Sequence, residues 1–316
     1  MIQRTVEFFS EGTPIAGILR LPDRGEPPFP AVVQGPGWLG LKDAQLYMPY
    51  HEALTAAGFA VLIFDYRGFG DSGGDRGQLL PNAQLDDMIN AVSFLMTRED
   101  VDPDRIGTFG SGGTGAGNSI MLAAHDRRVR CVVSQVPVAD GEDWLRRMRR
   151  EHEWYEFLDR INRDRARRVT EGAGELVHPS EDIMIATPER RVSTVKQDVG
   201  DRVPSSVPLR VAEAIMAYKP IDVVGKIAPR PVLIIGVEDD PVTPTDHALA
   251  LYEAAGEPKA LIMQRHTTHY AAYSQHGGVV IPEIVAWFEE HLRPVSIMKV
   301  ESTGGHDRRA ILKGRP

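Results

Sequence analysis

Short β-branched runs alternate with helix-compatible segments along this chain, and that alternation leaves few folds open to it. The runs read as strands at 5–9, 16–20, 31–34, 61–64, 106–109, 129–134, 232–235 and 260–264. Helices fit 50–57, 84–97, 116–124, 244–255 and 282–292, each a short loop after a strand. Parallel strands need such crossovers, so the expected class is α/β, with a mostly parallel central sheet of about eight strands. Ser10-Glu-Gly-Thr13 is a hairpin signal, so the first two strands are expected to be antiparallel.

The alternation breaks between 139 and 211. This stretch carries Trp144, Trp154, Tyr155 and Phe157 among many arginines and nearly as many acids, then the Pro/Ser-rich Val203-Pro-Ser-Ser-Val-Pro. The mixed charge reads as a solvated amphipathic helix rather than an anion site. An insertion after a strand's carboxyl end overhangs the crevice where such sheets bind ligands. A core of 1–138 and 212–293, a helical cap insertion at 139–211 and a tail at 294–316 are therefore expected. Trp144, Trp154 and Tyr155 are the cap's candidates for substrate contact, which suits an apolar or aromatic substrate moiety.

Composition narrows the partners. A net charge of −8 speaks against nucleic acid, whose phosphates want a basic surface. Cys131 is the single cysteine, so no internal disulfide can form, and its strand context, Arg130-Cys-Val-Val, predicts a buried residue. The start, Met1-Ile-Gln-Arg-Thr-Val-Glu, lacks a secretory pattern, and the apolar stretches 61–64 and 232–235 fall far short of a membrane span. A cytoplasmic protein with a small-molecule partner, no membrane and no nucleic acid is expected; a homo-oligomer stays open.

Four segments then carry a resemblance. They are Ala31-Val-Val-Gln-Gly-Pro-Gly37-Trp38, Phe64-Asp-Tyr-Arg-Gly-Phe-Gly-Asp-Ser-Gly-Gly, the stretch 106–117, and the pair Glu238-Asp-Asp240-Pro-Val-Thr-Pro with His266-Thr-Thr-His269-Tyr. In this order the chain resembles the α/β-hydrolase family, particularly its dienelactone-hydrolase-like and acyl-peptidase-like branches with a helical cap, from Pro30 to Leu292. The resemblance implies the α/β-hydrolase fold, no metal or organic cofactor, and hydrolysis of an ester, thioester or activated C–C bond.

It also implies roles. The acid is Asp240, with Asp239 and then Glu238 as competitors; the base is His269, with His266 the fallback. A metal site from His266 and His269 lacks further ligands nearby. Backbone N–H groups of Trp38 and Gly113 align with the family's oxyanion hole, Pro36 standing where the family has histidine. The nucleophile elbow, Gly-x-Ser-x-Gly between a strand and a helix, falls on Gly110-Ser-Gly112-Gly-Thr114-Gly115 and places Gly112 where the serine belongs. Ser111, one residue early, and Thr114, two late, are the substitutes; Ser119 lies inside the helix. Gly70-Asp-Ser72-Gly-Gly74 matches the motif literally, but no helix follows it. Two alternatives to hydrolysis stand beside it. One is a lyase, isomerase or cyclase using His269 as general base without a covalent intermediate; the other is a non-catalytic ligand-binding protein.

Overall fold

The computed structural model describes residues 1–193 and 197–293; the tail expected at 294–316 lies outside them. Its strands are β1 (Ile2–Ser10), β2 (Thr13–Leu21), β3 (Phe29–Gly35), β4 (Ala60–Phe64), β5 (Val101–Gly112), β6 (Val129–Pro137), β7 (Leu176–Val177), β8 (Val207–Pro208), β9 (Val232–Val237) and β10 (Lys259–Gln264). Its helices are α1 (Met48–Ala56), α2 (Pro81–Met96), α3 (Gly113–His125), α4 (Gly141–Arg147), α5 (Glu151–Glu171), α6 (Pro188–Val192), α7 (Arg210–Met216), α8 (Thr245–Ala254), α9 (His269–Tyr273) and α10 (Gly277–His291).

Eight strands form one sheet in the order β1-β2-β4-β3-β5-β6-β9-β10. The β1–β2 and β2–β4 pairs are antiparallel and the others parallel. Glu11 and Gly12 take positive φ, 48° and 78°, at the β1–β2 turn, which matches the right-handed strand twist. The central parallel strands β3, β4, β6 and β9 are buried on both faces over most of their length, and their side chains alternate between two cores. Ala31, Val33, Leu62 and Ile234 pack with Met88 of α2 and Ile120 of α3. Val32, Val61 and Leu233 pack with Leu54 of α1 and with Val280 and Phe288 of α10. Cys131 is buried in this second core, where burial pushes its thiol up. The helix expected from Pro282 begins a turn and a half earlier, at Gly277, with Pro282 inside it.

The chain leaves β3 toward β4 on one side and later runs through β5 to β6 on the other. That reversal opens a crevice at the carboxyl ends of β3 and β5, where open α/β sheets place their ligands. Between β6 and β9 lie α4, α5, α6, α7 and the small antiparallel pair β7–β8. Trp154, Phe157, Ile161 and Asp164 of α5 are buried at helical spacing; Arg168 pairs with that buried Asp164, Arg160 with Glu175 and Arg167 with Glu171. Asp143 of α4 accepts from His247 Nε2 at 2.9 Å, and Arg147 pairs with Asp246, so the insert is tied to α8.

Candidate active site

The loop after β3 is pressed against the start of α3. A Cβ on Gly37 would stand 2.7 Å from the Ser111 carbonyl, and one on Gly115 would stand 2.8 Å from the Gly37 Cα, so both positions need glycine. The Gly37 N–H donates to the Tyr47 hydroxyl at 3.1 Å, and Trp38 follows it in the same loop. Trp38 is buried edge-on to Trp144, with ring centroids 5.8 Å apart, and the Trp144 indole donates to the Val242 carbonyl at 2.7 Å. Lys42 braces this loop from below, its ammonium 2.6 Å from buried Asp65 and 2.5 Å from Asp71. Ser72 belongs to the same brace: its hydroxyl donates to the Asp65 carbonyl at 2.6 Å, and the next helix starts only at Pro81.

β5 ends on Gly112, which also precedes the first turn of α3 and sits at φ 72°, ψ 126°. A residue with a side chain is strained there, and glycine is not. Gly113 bridges to Pro137, and its carbonyl accepts the Val138 N–H at 3.1 Å. Ser111 is buried on the strand and lines the cavity above. Thr114 is buried in the first turn of α3 and does not line it; Ser119, one turn on, donates to Ala116 and Val133 carbonyls.

The acid loop follows β9. Asp240 Oδ1 accepts the N–H groups of Val242 and Thr243 at 2.7 and 3.0 Å, and Oδ2 accepts from His269 Nδ1 at 2.7 Å. Asp239 is exposed, and Glu238 is engaged by Arg265 at 3.1 Å. A carboxylate only accepts, so the His269 proton sits on Nδ1 and Nε2 is left as an acceptor. The group facing Nε2, at 2.9 Å, is the Tyr273 hydroxyl. His269 and Tyr273 are the first and last residues of α9, four apart and therefore on one helix face. Burial, and then the negative field of Asp240, hold the Tyr273 phenol well above its usual pKa, so it is a protonated donor at neutral pH. Its oxygen hangs over the elbow, 3.3 Å from where a Cβ on Gly112 would stand.

The sequence did not point to Tyr273. Its signal, a hydroxyl at helical spacing from His269, needs a helix there, and α9 is only five residues long. His266, by contrast, is exposed, and among the described residues no three potential metal ligands cluster.

Above these groups is a cavity with about 470 Å³ of space, its mouth included. Trp38, Leu46, Trp144, Met184 and Val242 give it apolar walls; Ser111, Gly112 and Gly113 form its floor, facing His269 and Tyr273. Arg190 of α6 reaches it from the insert. Trp154 is buried against Phe157 inside the insert, and Tyr155 is 59% exposed; neither lines this cavity.

Known proteins share the fold. A family model of X-Pro dipeptidyl-peptidases (S15 family) matches residues 11–173. An uncharacterised 31.7 kDa protein of the traX-finO intergenic region of Escherichia coli is 32% identical over 291 residues, covering 90% of this chain and 97% of that protein. A thiohydrolase of Eupenicillium brefeldianum is 25% identical over 279 residues, 82% of this chain and 85% of its own. The solved α/β hydrolase GrgF from Penicillium sp. shares the fold at a TM-score of 0.77 and 22% identity, over 92% of this chain and 99% of that one. No helix among the described residues is long and apolar enough to cross a membrane. With half its length matched by the family model, the chain belongs to the X-Pro dipeptidyl-peptidase (S15) family and is an α/β-hydrolase-fold enzyme of the acyl-peptidase-like branch.

Proposed function

We propose that the protein hydrolyses a small ester or thioester, with the Tyr273 hydroxyl in place of the serine that Gly112 lacks. The observation that carries this reading is the line Asp240–His269–Tyr273, joined at 2.7 and 2.9 Å and ending above the elbow. In that line His269 Nε2 takes the phenolic proton as the tyrosine oxygen attacks the carbonyl carbon, and Asp240 stabilises the imidazolium. The oxyanion that forms is assigned to the N–H groups of Trp38 and Gly113. Collapse expels the alcohol or thiol, which takes the proton back from His269. Water, deprotonated by the same imidazole, then cleaves the acyl-tyrosine and returns the phenol. A raised phenol pKa is no obstacle, because a serine hydroxyl also holds its proton until a base removes it. An aryl ester is moreover an activated one, which favours the second half-reaction. The thiohydrolase relative supports thioesters as one substrate class, and the apolar walls suit a hydrocarbon acyl chain.

The test is turnover of activated aryl esters and thioesters by single variants. His269→Ala is expected to lower kcat/KM by about 10²–10⁴-fold, the usual share of a general base. Tyr273→Phe keeps the ring and is expected to lose at least as much. Full activity in Tyr273→Phe would mean that His269 works on water directly, and the tyrosine assignment would fall.

A further inference from the structure

Many arginines of the insert are paired with acids. Arg147 pairs with Asp143 and Asp246, Arg160 with Glu175 and Asp182, Arg165 and Arg168 with Glu213, and Arg191 with Glu181. Arg149 has no acid, but it donates to the carbonyls of Leu145, Asp182 and Ile183 and lies 3.8 Å over the Phe157 ring, so it is built into the insert's own packing.

Arg190 is different in two respects. It is the only Lys, Arg, Asp or Glu among the residues lining the cavity. Its two partners are also neutral: Nη1 donates to the Tyr270 hydroxyl at 3.0 Å and Nη2 to Ser180 Oγ at 2.9 Å. Among the described residues no carboxylate lies within ion-pair distance of it. The neighbouring Glu189 accepts the Tyr270 N–H at 3.1 Å and does not line the cavity. Two bonds leave three of the five guanidinium N–H donors unused, and the two that are made fix the fork in place. Tyr270, which holds it, stands edge-on to His269 with ring centroids 4.9 Å apart. The cation therefore sits one tyrosine ring from the base, across an apolar space.

We infer that Arg190 binds a carboxylate on the substrate, so that the site takes ω-carboxy acyl esters or thioesters in preference to neutral ones. The inference rests on the cavity being the hydrolytic site. A planar guanidinium with unused parallel donors matches a carboxylate in two-point contact, and in an apolar, partly dehydrated site such a contact discriminates strongly against an uncharged analogue. An anion there would complete an ion pair for the single arginine that lines the cavity. It would also hold the acyl chain stretched between Arg190 and the elbow, which sets the chain length the enzyme prefers.

Two readouts separate this inference from the hydrolytic reading. The first is equilibrium binding of ω-phenyl carboxylates of four to six carbons against their primary amides, followed by fluorescence of the cavity's tryptophans. The wild type is expected to prefer the acid about 10–100-fold, as a charge-assisted pair implies. Arg190→Met is expected to abolish that preference, and Arg190→Lys, which keeps the charge and loses the fork, to retain part of it. The second is turnover of 4-nitrophenyl hemiglutarate against 4-nitrophenyl pentanoate. There Arg190→Met is expected to raise KM for the charged ester by a similar factor and to change the neutral ester less than about threefold. Acid preference without turnover of either ester would uphold Arg190 and sink the hydrolytic reading. Equal binding of acids and amides by the wild type, or an equal loss on both in Arg190→Met, would overturn the role of Arg190.

Discussion

At the scale of single residues the elbow is a trade between Gly112 and Tyr273. With φ at 72° the backbone at 112 suits glycine, and a Cβ there would press on the Tyr273 oxygen at 3.3 Å. Gly112→Ser is therefore expected to cost about 1–3 kcal/mol, the usual charge for a side chain held in sparsely populated backbone space. Denaturant titration of the variant checks this. Adding Tyr273→Phe removes the crowding oxygen and leaves a serine hydroxyl facing His269. The double variant is expected to turn over more ester than Tyr273→Phe alone. The acid and base candidates were legible at this scale, because Asp240 and His269 each follow a strand in loops whose order matches the family's. Tyr273 was not, since nothing in Ala271-Ala-Tyr273-Ser marks a five-residue helix that turns two side chains onto one face.

At the scale of elements, period-2 and period-3.6 patterns sufficed wherever an element was long and half-buried. All eight strands expected from the sequence lie within strands of the main sheet. The insert was harder, because its short helices and the two-residue strands β7 and β8 carry no period, and their places follow from contacts distant in sequence. Its long helix α5 depends on few apolar residues: the tilted rings of Trp154 and Phe157 pack with centroids 6.1 Å apart, with Ile161 a turn beyond. Phe157→Ala is expected to cost about 3–5 kcal/mol through the cavity it leaves. A lower urea midpoint would check that cost, and binding of the ω-phenyl acids would weaken if the insert that holds Arg190 loosens.

At the scale of the whole molecule, the strand order places the site. β3 and β5 are neighbours at the point where the strand order reverses, so the Trp38 loop and the elbow meet there without further design. The interior also contains several phenols. Burial raises Tyr47, Tyr66, Tyr218 and Tyr273 above the usual value near 10. A raised folded-state pKa means the unfolded chain loses each proton first. The stability these groups contribute is complete below about pH 10 and is lost as pH climbs above it, at up to about 1.4 kcal/mol per group per pH unit. Thermal melts are expected to be flat across neutral pH and to fall steeply above pH ~10, less steeply in Tyr273→Phe.

The claim that Tyr273 supplies the attacking oxygen is tested most directly by a serine-directed fluorophosphonate. The wild type is treated with it, weighed intact, and mapped by peptide mass. A single adduct on Tyr273, absent from His269→Ala, is the expected result. An adduct on Ser111 or Thr114, or none from an enzyme that still turns over ester, would contradict it.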